Sequence, residues 1–203
     1  EWDRVVAGIE VAAPLFPGLK IDTVVIRGVN DDEIVAMVEF AKARGAEVRF
    51  IEYMDVGGAT RWNWAQVVTR AEILATLARH YGSAEPMGER GSAPADRFRL
   101  RDGTVIGIIA STTEPFCRDC DRSRVTADGM WYLCLYASRG TDLRAALRGG
   151  ASREELAALV GSTWRARDDR GAETRLAMRD RSSMIPLSSL KRDPHLEMHT
   201  RGG

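Results

Sequence analysis

The stretch FCRDCDRSRVTADGMWYLC, residues 116–134, holds every cysteine of the chain: Cys117, Cys120 and Cys134. Two residues between Cys117 and Cys120 put both sulfurs on one loop, within reach of a shared metal ion. Several chemistries compete for three such thiols. Buried cysteines that only fill space are the ordinary state in a reducing compartment. A structural zinc ion asks for a fourth protein ligand, which would have to be Asp119, Asp121 or one of the distant histidines His80, His195 and His199. A disulfide leaves one thiol over and is disfavoured in a reducing compartment. An iron–sulfur cubane needs nothing more, because each iron takes one ligand beyond its sulfides and three thiolates leave one iron open to a substrate or cofactor atom.

Directly after the second cysteine stands Arg122-Ser123-Arg124. On a strand the side-chain period of two sends Arg122 and Arg124 to one face. Two guanidiniums aimed together can each make a bidentate contact, which suits a polyphosphate. An isolated pair of this kind in a chain with 29% charged residues ordinarily pairs with surface acids, and only its place beside a metal-ligating cysteine points elsewhere. His195 and His199 have the spacing of a helical metal pair, but no Glu follows His195 as a zinc protease motif requires, and Pro194 precedes it.

The elements that must position these residues are legible as periodicities. Residues 1–13 are amphipathic and end at Pro14, Pro17 and Gly18. KIDTVVI (20–26) is β-branched, DDEIVAMVEFAKAR (31–44) is helical with Asn30 as its cap and Gly45 as its stop, and EVRFIEYM (47–54) is a second strand. That is a βαβ unit, whose parallel strands need cover on both faces. Residues 55–68 read as a loop at the strand ends, and Thr69 with Glu72 forms a capping box for a helix to about His80. Residues 82–95, rich in Gly, Ser, Ala and Pro, read as a flexible connection. Two hairpins follow, turning at Asp102-Gly103 and Asp128-Gly129, then helices near 141–148 and 152–165. Beyond Arg165 the pattern fades into a polar tail. Three regions result: an α/β part over 1–81, a linker over 82–96, and an antiparallel α+β part over 97–203.

Composition sets the remaining bounds. The 203 residues are 44% hydrophobic, enough for a real core, and 29 basic residues balance 29 acidic ones. A balanced charge does not advertise nucleic acid as a partner. Arginine outnumbers lysine 26 to 3, so forked donors are plentiful. No apolar run approaches the roughly 18 residues of a membrane helix and no leader is legible, so a cytoplasmic protein without a membrane partner is expected. The chain opens on Glu1 within an amphipathic pattern and reads as cropped at its N-terminus.

FCRDCDRSRVTADGMWYLCLY resembles the carboxyl-terminal cluster motif of the GTP 3′,8-cyclase family, FCxxCNRxRLTxxGxxxxCL, the radical S-adenosylmethionine enzymes of molybdenum cofactor biosynthesis. VVIRGVNDDEI and VRFIEYMDVGG resemble the family's fifth and sixth barrel-strand regions, and the final Gly202-Gly203 its double-glycine tail. The resemblance covers essentially the whole chain. It implies the end of a partial TIM-type barrel followed by an antiparallel cap, that is, the carboxyl-terminal two thirds of a lyase. In that chemistry an N-terminal [4Fe-4S] cluster on a CxxxCxxC motif cleaves S-adenosylmethionine to an adenosyl radical. The radical takes hydrogen from the ribose 3′ carbon of GTP, and the sugar radical attacks C8 to give 3′,8-cyclo-7,8-dihydroguanosine 5′-triphosphate. The resemblance assigns Cys117, Cys120 and Cys134 to a second [4Fe-4S] cluster that binds GTP through its open iron. It assigns Lys20, Arg49, Arg122, Ser123 and Arg124 to GTP, Met54 to S-adenosylmethionine, and Gly202 and Gly203 to a tail that reaches back toward the site. A homodimer, and delivery of the product to the cyclic pyranopterin monophosphate synthase, are the partners it implies. Two positions depart from the pattern, Asp121 and Asp22 standing where Asn is usual, and each adds a carboxylate near a triphosphate site. The CxxxCxxC motif is absent, so this polypeptide by itself is not expected to make the radical. The rival expectation is a catalytically inert iron–sulfur or zinc module that retains nucleotide affinity.

Overall fold

The computed structural model describes residues 2–56, 62–178, 181 and 187–193. It divides the chain into two compact units, one of residues 1–54 with 64–115 and one of residues 55–63 with 116–203.

The first unit is a mixed sheet with helices. Helix α1 spans Trp2–Ala12, β1 Lys20–Val25, α2 Ile34–Lys42, β2 Glu47–Glu52, α3 Arg70–Tyr81, β3 Ala84–Pro86, β4 Asp96–Leu100 and β5 Val105–Ile109. The sheet order is β1-β2-β5-β4-β3. β1 and β2 are parallel with Lys20 opposite Glu47 and Asp22 opposite Arg49, β2 is parallel to β5, and β5 turns back antiparallel to β4. The expected βαβ unit is present, and the expected hairpin at Asp102-Gly103 is the β4–β5 turn, where Gly103 takes a φ of 89° that a side chain would resist.

Strand alternation sorts the residues of this sheet. Ile21, Val25, Val48, Phe50, Ile106, Ile108, Phe98 and Leu100 join Ile34, Val38 and Ala41 of α2 and Ile73 and Leu77 of α3 in one buried cluster. The alternate residues Lys20, Asp22, Glu47, Arg49, Gly107 and Arg97 therefore share the opposite face.

Three expectations change in this unit. Asn30 does not cap α2, whose cap residue is Glu33; the Asn30 side chain accepts the Ile26 amide through Oδ1 at 2.8 Å and donates through Nδ2 to the Val24 carbonyl at 2.9 Å, closing the strand end instead. The 82–95 connection contains β3, which pairs with β4. Finally, the β4–β5 hairpin, expected beyond the linker, belongs to the first sheet, because β5 supplies the parallel neighbour that β2 needs.

Glu52 locks this unit beneath its last strand turn. Its carboxylate is fully buried and accepts the backbone amides of Arg70, Thr112 and Thr113 at 2.8, 3.1 and 2.8 Å and the Thr113 hydroxyl at 2.6 Å. The capping box expected at Thr69 and Glu72 forms beside it.

Among the described residues, the second unit holds a 3₁₀ turn at Cys117–Asp119, a small sheet and four helices. β6 is Arg124–Val125, β7 Met130–Tyr132 and β8 Thr141–Asp142, antiparallel in that order. The β6–β7 turn is at Asp128-Gly129, as the sequence predicts, with Gly129 at a φ of 87°. α4 spans Leu143–Arg148 with Asp142 as its cap, and α5 spans Arg153–Arg165 behind a capping box of Ser152 and Glu155. The polar tail expected after Arg165 instead forms α6, Gly171–Leu176, and α7, Leu187–Arg192.

That ordering has an ionic cause. Asp55, 2% exposed, accepts from Arg175 Nε at 2.7 Å, from Arg181 Nε at 2.9 Å and from the Tyr136 hydroxyl at 2.9 Å. Trp62 lies under Arg181, ring centroid 5.1 Å from the guanidinium carbon. A buried carboxylate is tolerated only when its lone pairs are met, and two arginines and a tyrosine far along the chain meet them. Among the described residues no helix is long and apolar enough to cross a membrane.

Candidate functional site

The cysteine window lies in the second unit. The 3₁₀ turn brings the Cys120 amide to the Cys117 carbonyl at 3.3 Å, so the two-residue spacing does place both thiols on one turn. α6 packs against that turn. The same helix begins at Gly171, where an added Cβ would stand 3.0 Å from Cys134 Sγ and 2.5 Å from Tyr136 Cβ. Glycine at 171 thus keeps the flank of the third thiol open, and α6 adjoins the turn of the first two and, at its start, the sulfur of the third. All three cysteines are free and half-buried. Among the described residues, no three His, Cys, Asp or Glu side chains are gathered closely enough to hold one metal ion, so the thiols share a neighbourhood but not a finished ligand set.

Cys120 stands in a cationic setting. Burial pushes its pKa up, but hydrogen bonds from the backbone amide and side chain of Arg122 and from Arg167 outweigh that, and the net shift is down, toward thiolate. Arg167 donates through Nη1 to the Cys120 carbonyl at 2.9 Å and through Nη2 to Cys120 Sγ at 3.6 Å. Trp131 of β7 stacks on Trp164 of α5 with centroids 6.4 Å apart, and Trp164 in turn lies 4.9 Å from the Arg167 guanidinium carbon. A chain of aromatic contacts therefore leads from the small sheet to the cation at the thiol.

The Arg-Ser-Arg segment differs from a continuous strand. β6 begins only at Arg124, which pairs with Tyr132, while Arg122 and Ser123 precede it and are exposed. Arg122 folds its guanidinium over the Phe116 ring, 4.6 Å from the centroid, and toward Cys120. The short strand is the reason: the period-two argument needs residue 122 in extended pairing, and the ladder stops before it. Asp121 is exposed beside this segment.

Lys20 and Arg49 lie in the first unit, on the sheet face opposite the helices, and line one open depression of about 600 Å³ with Lys42, Glu47 and Arg97. Glu47 sets the geometry there. It accepts from Arg49 Nε at 3.0 Å and from Arg97 Nη2 at 2.8 Å while only 13% of its side chain is exposed. Gly107 on β5 makes room for this, since a Cβ there would stand 3.0 Å from Arg49 Cγ. Asp22, opposite Arg49 in register, is exposed. Met54 is half-buried after β2. Gly202, Gly203, His195 and His199 lie outside the described residues.

Arg167, Gly171, Glu47 and Glu52 carry no motif. Only a glycine at an unremarkable polar stretch and one arginine among many marked them in the sequence.

Comparison with known proteins identifies the family. The family described as Molybdenum Cofactor Synthesis C matches residues 46–173. A Mycobacterium tuberculosis protein named GTP 3′,8-cyclase 1 is 59% identical over 99% of this chain and 56% of its own length. A Mycobacterium bovis protein named GTP 3′,8-cyclase 3 is 58% identical over 98% of this chain and 53% of its own, and a Synechococcus protein named GTP 3′,8-cyclase is 38% identical over 99% and 57%. The chain spans about half the length of these curated relatives. With the family match running through the cysteine turn, Arg122, Arg124 and the start of α6, the chain belongs to the Molybdenum Cofactor Synthesis C family.

Proposed function

We propose that this chain supplies the GTP-holding part of a GTP 3′,8-cyclase, the end of a partial TIM-type barrel with its cap, and that Cys117, Cys120 and Cys134 hold a [4Fe-4S] cluster there. The observation that carries the reading is that α6 adjoins both the turn of Cys117 and Cys120 and, at Gly171, the sulfur of Cys134, with cations drawn to Cys120. The donor set fits such a group: thiolates are the ligands iron–sulfur clusters take, and Arg122 and Arg167 hydrogen-bond Cys120 in a way that favours its thiolate. Bound there, the cluster would offer GTP an iron with one position unfilled by protein.

The chain's own residues then have distinct tasks. Arg124 and Arg122 bind triphosphate oxygens with forked donors, and Ser123 adds a hydroxyl. Lys20 and Arg49 are further GTP ligands, the second held ready by Glu47. Met54 contacts S-adenosylmethionine, the co-substrate. The radical chemistry belongs to the complete protein, whose product passes to the cyclic pyranopterin monophosphate synthase.

The test is an anaerobic assay of the full-length protein containing this chain, with GTP, S-adenosylmethionine and a reductant. Formation of 3′,8-cyclo-7,8-dihydroguanosine 5′-triphosphate, lost in the Cys134→Ala variant, is the expected result. GTP binding without turnover would mark an inert nucleotide module instead.

A further inference from the structure

Arg167 lies just past α5 and is gripped on several sides. Trp164 faces its guanidinium at 4.9 Å, and Asp169 Oδ2 stands 3.8 Å from Nε. Only 11% of its side chain is exposed. Its two terminal nitrogens reach the same residue, Nη1 the Cys120 carbonyl at 2.9 Å and Nη2 the Cys120 sulfur at 3.6 Å. With Cys117, Cys120 and Trp164 it lines a depression of about 400 Å³.

We infer that Arg167 is a positioning residue for the cysteine-bound group, one that fixes the Cys120 sulfur and raises the reduction potential of iron held there. The inference rests on the proposed cluster reading. Both halves follow from the forked contact. A guanidinium is planar, so the bond to the carbonyl sets the direction of the second nitrogen, and the sulfur is presented at a fixed angle rather than left to rotate about χ1. Adding an electron to a cluster makes it more negative, and a fixed cation with an N–H···S bond stabilises that state more than the oxidised one. Partial burial limits screening of the charge. The aromatic stack from Trp131 through Trp164 keeps the cation in place when the thiol becomes a ligand.

The experiment compares the wild-type chain with Arg167→Gln and Arg167→Lys after anaerobic reconstitution with iron and sulfide. Iron content is measured first, then the midpoint potential by dithionite titration followed by electron paramagnetic resonance. Arg167→Gln should move the reduction equilibrium about tenfold toward the oxidised form, about 59 mV for one electron. Arg167→Lys, which keeps charge but not the fork, should move it less and release iron to a chelator faster than wild type. If Arg167→Gln assembles no cluster, Arg167→Lys decides alone. Iron bound at wild-type level with wild-type potentials in the variants overturns the inference and leaves the cluster intact. A wild-type chain that takes up no iron overturns the cluster reading, and this inference with it.

Discussion

Gly171 and Arg122 show how much of the site depends on single side chains. An alanine at 171 would press on Tyr136 Cβ at 2.5 Å and on Cys134 Sγ at 3.0 Å, distances that force one of them to move. Gly171→Ala should therefore lower bound iron in the reconstituted chain to below half of wild type, read by colorimetric iron analysis, while the isolated first sheet retains its circular dichroism signature. The two arginines of the Arg-Ser-Arg segment should separate. Arg124 sits on a strand and Arg122 bends back to Cys120, so Arg124→Ala should weaken GTP binding roughly tenfold to a hundredfold with full iron content, a loss of charge-assisted hydrogen bonds. Arg122→Ala should weaken GTP binding and lower iron retention together. Equal GTP affinity in both, read by calorimetry, would remove the pair from the phosphate site. The shared turn of Cys117 and Cys120 was legible because a two-residue spacing is a local feature. The outer residues were not: Arg167 reaches Cys120 across 47 positions of sequence, and no local pattern encodes a contact of that length.

At the scale of elements, most boundaries follow from local chemistry. Capping boxes at Thr69-Glu72 and Ser152-Glu155 formed where a side chain can satisfy amides within its own turn, and both hairpin glycines took the positive φ their turns require. Asn30 misled because its side chain found the Val24 and Ile26 backbone before the helix, an equally local choice that the sequence does not rank. β3 and α6 escaped notice because their stability is borrowed, β3 from pairing with β4 and α6 from the ion pair of Arg175 with Asp55. Glu52 is the element-scale anchor of the first unit. Glu52→Ala would strand the amides of Arg70, Thr112 and Thr113 in a buried space, at about 1 to 3 kcal/mol for each one left unmet. Urea unfolding should show a loss of about 3 kcal/mol or more. A loss under about 1 kcal/mol would mean that water replaces the carboxylate.

For the whole molecule, charge is balanced at 29 against 29 at neutral pH, so net repulsion is small there and grows only as the carboxylates of particular groups are protonated. Asp55 is the leading one. Burial pushes its pKa up, yet the hydrogen bonds of Arg181, Arg175 and Tyr136 prevail and hold it below the ordinary 3.8. A carboxylate whose folded pKa is depressed contributes stability that is present above 3.8 and disappears as pH falls through the lower folded value. Urea midpoints for the second unit should thus fall as pH is taken below 3.8, and Asp55→Asn should flatten that dependence while costing about 3 to 5 kcal/mol at neutral pH, because two buried guanidiniums lose their partner. An unchanged acid limb in the variant would show that other carboxylates govern it.

If three cysteines hold a cluster with one iron left for GTP, the iron itself must register the nucleotide. Mössbauer spectroscopy of the chain reconstituted anaerobically with ⁵⁷Fe, before and after GTP, tests it most directly. The expected result is about four iron per chain and a change confined to about one of them when GTP is added. A stoichiometric zinc ion in place of iron, or an iron spectrum indifferent to GTP, would contradict it.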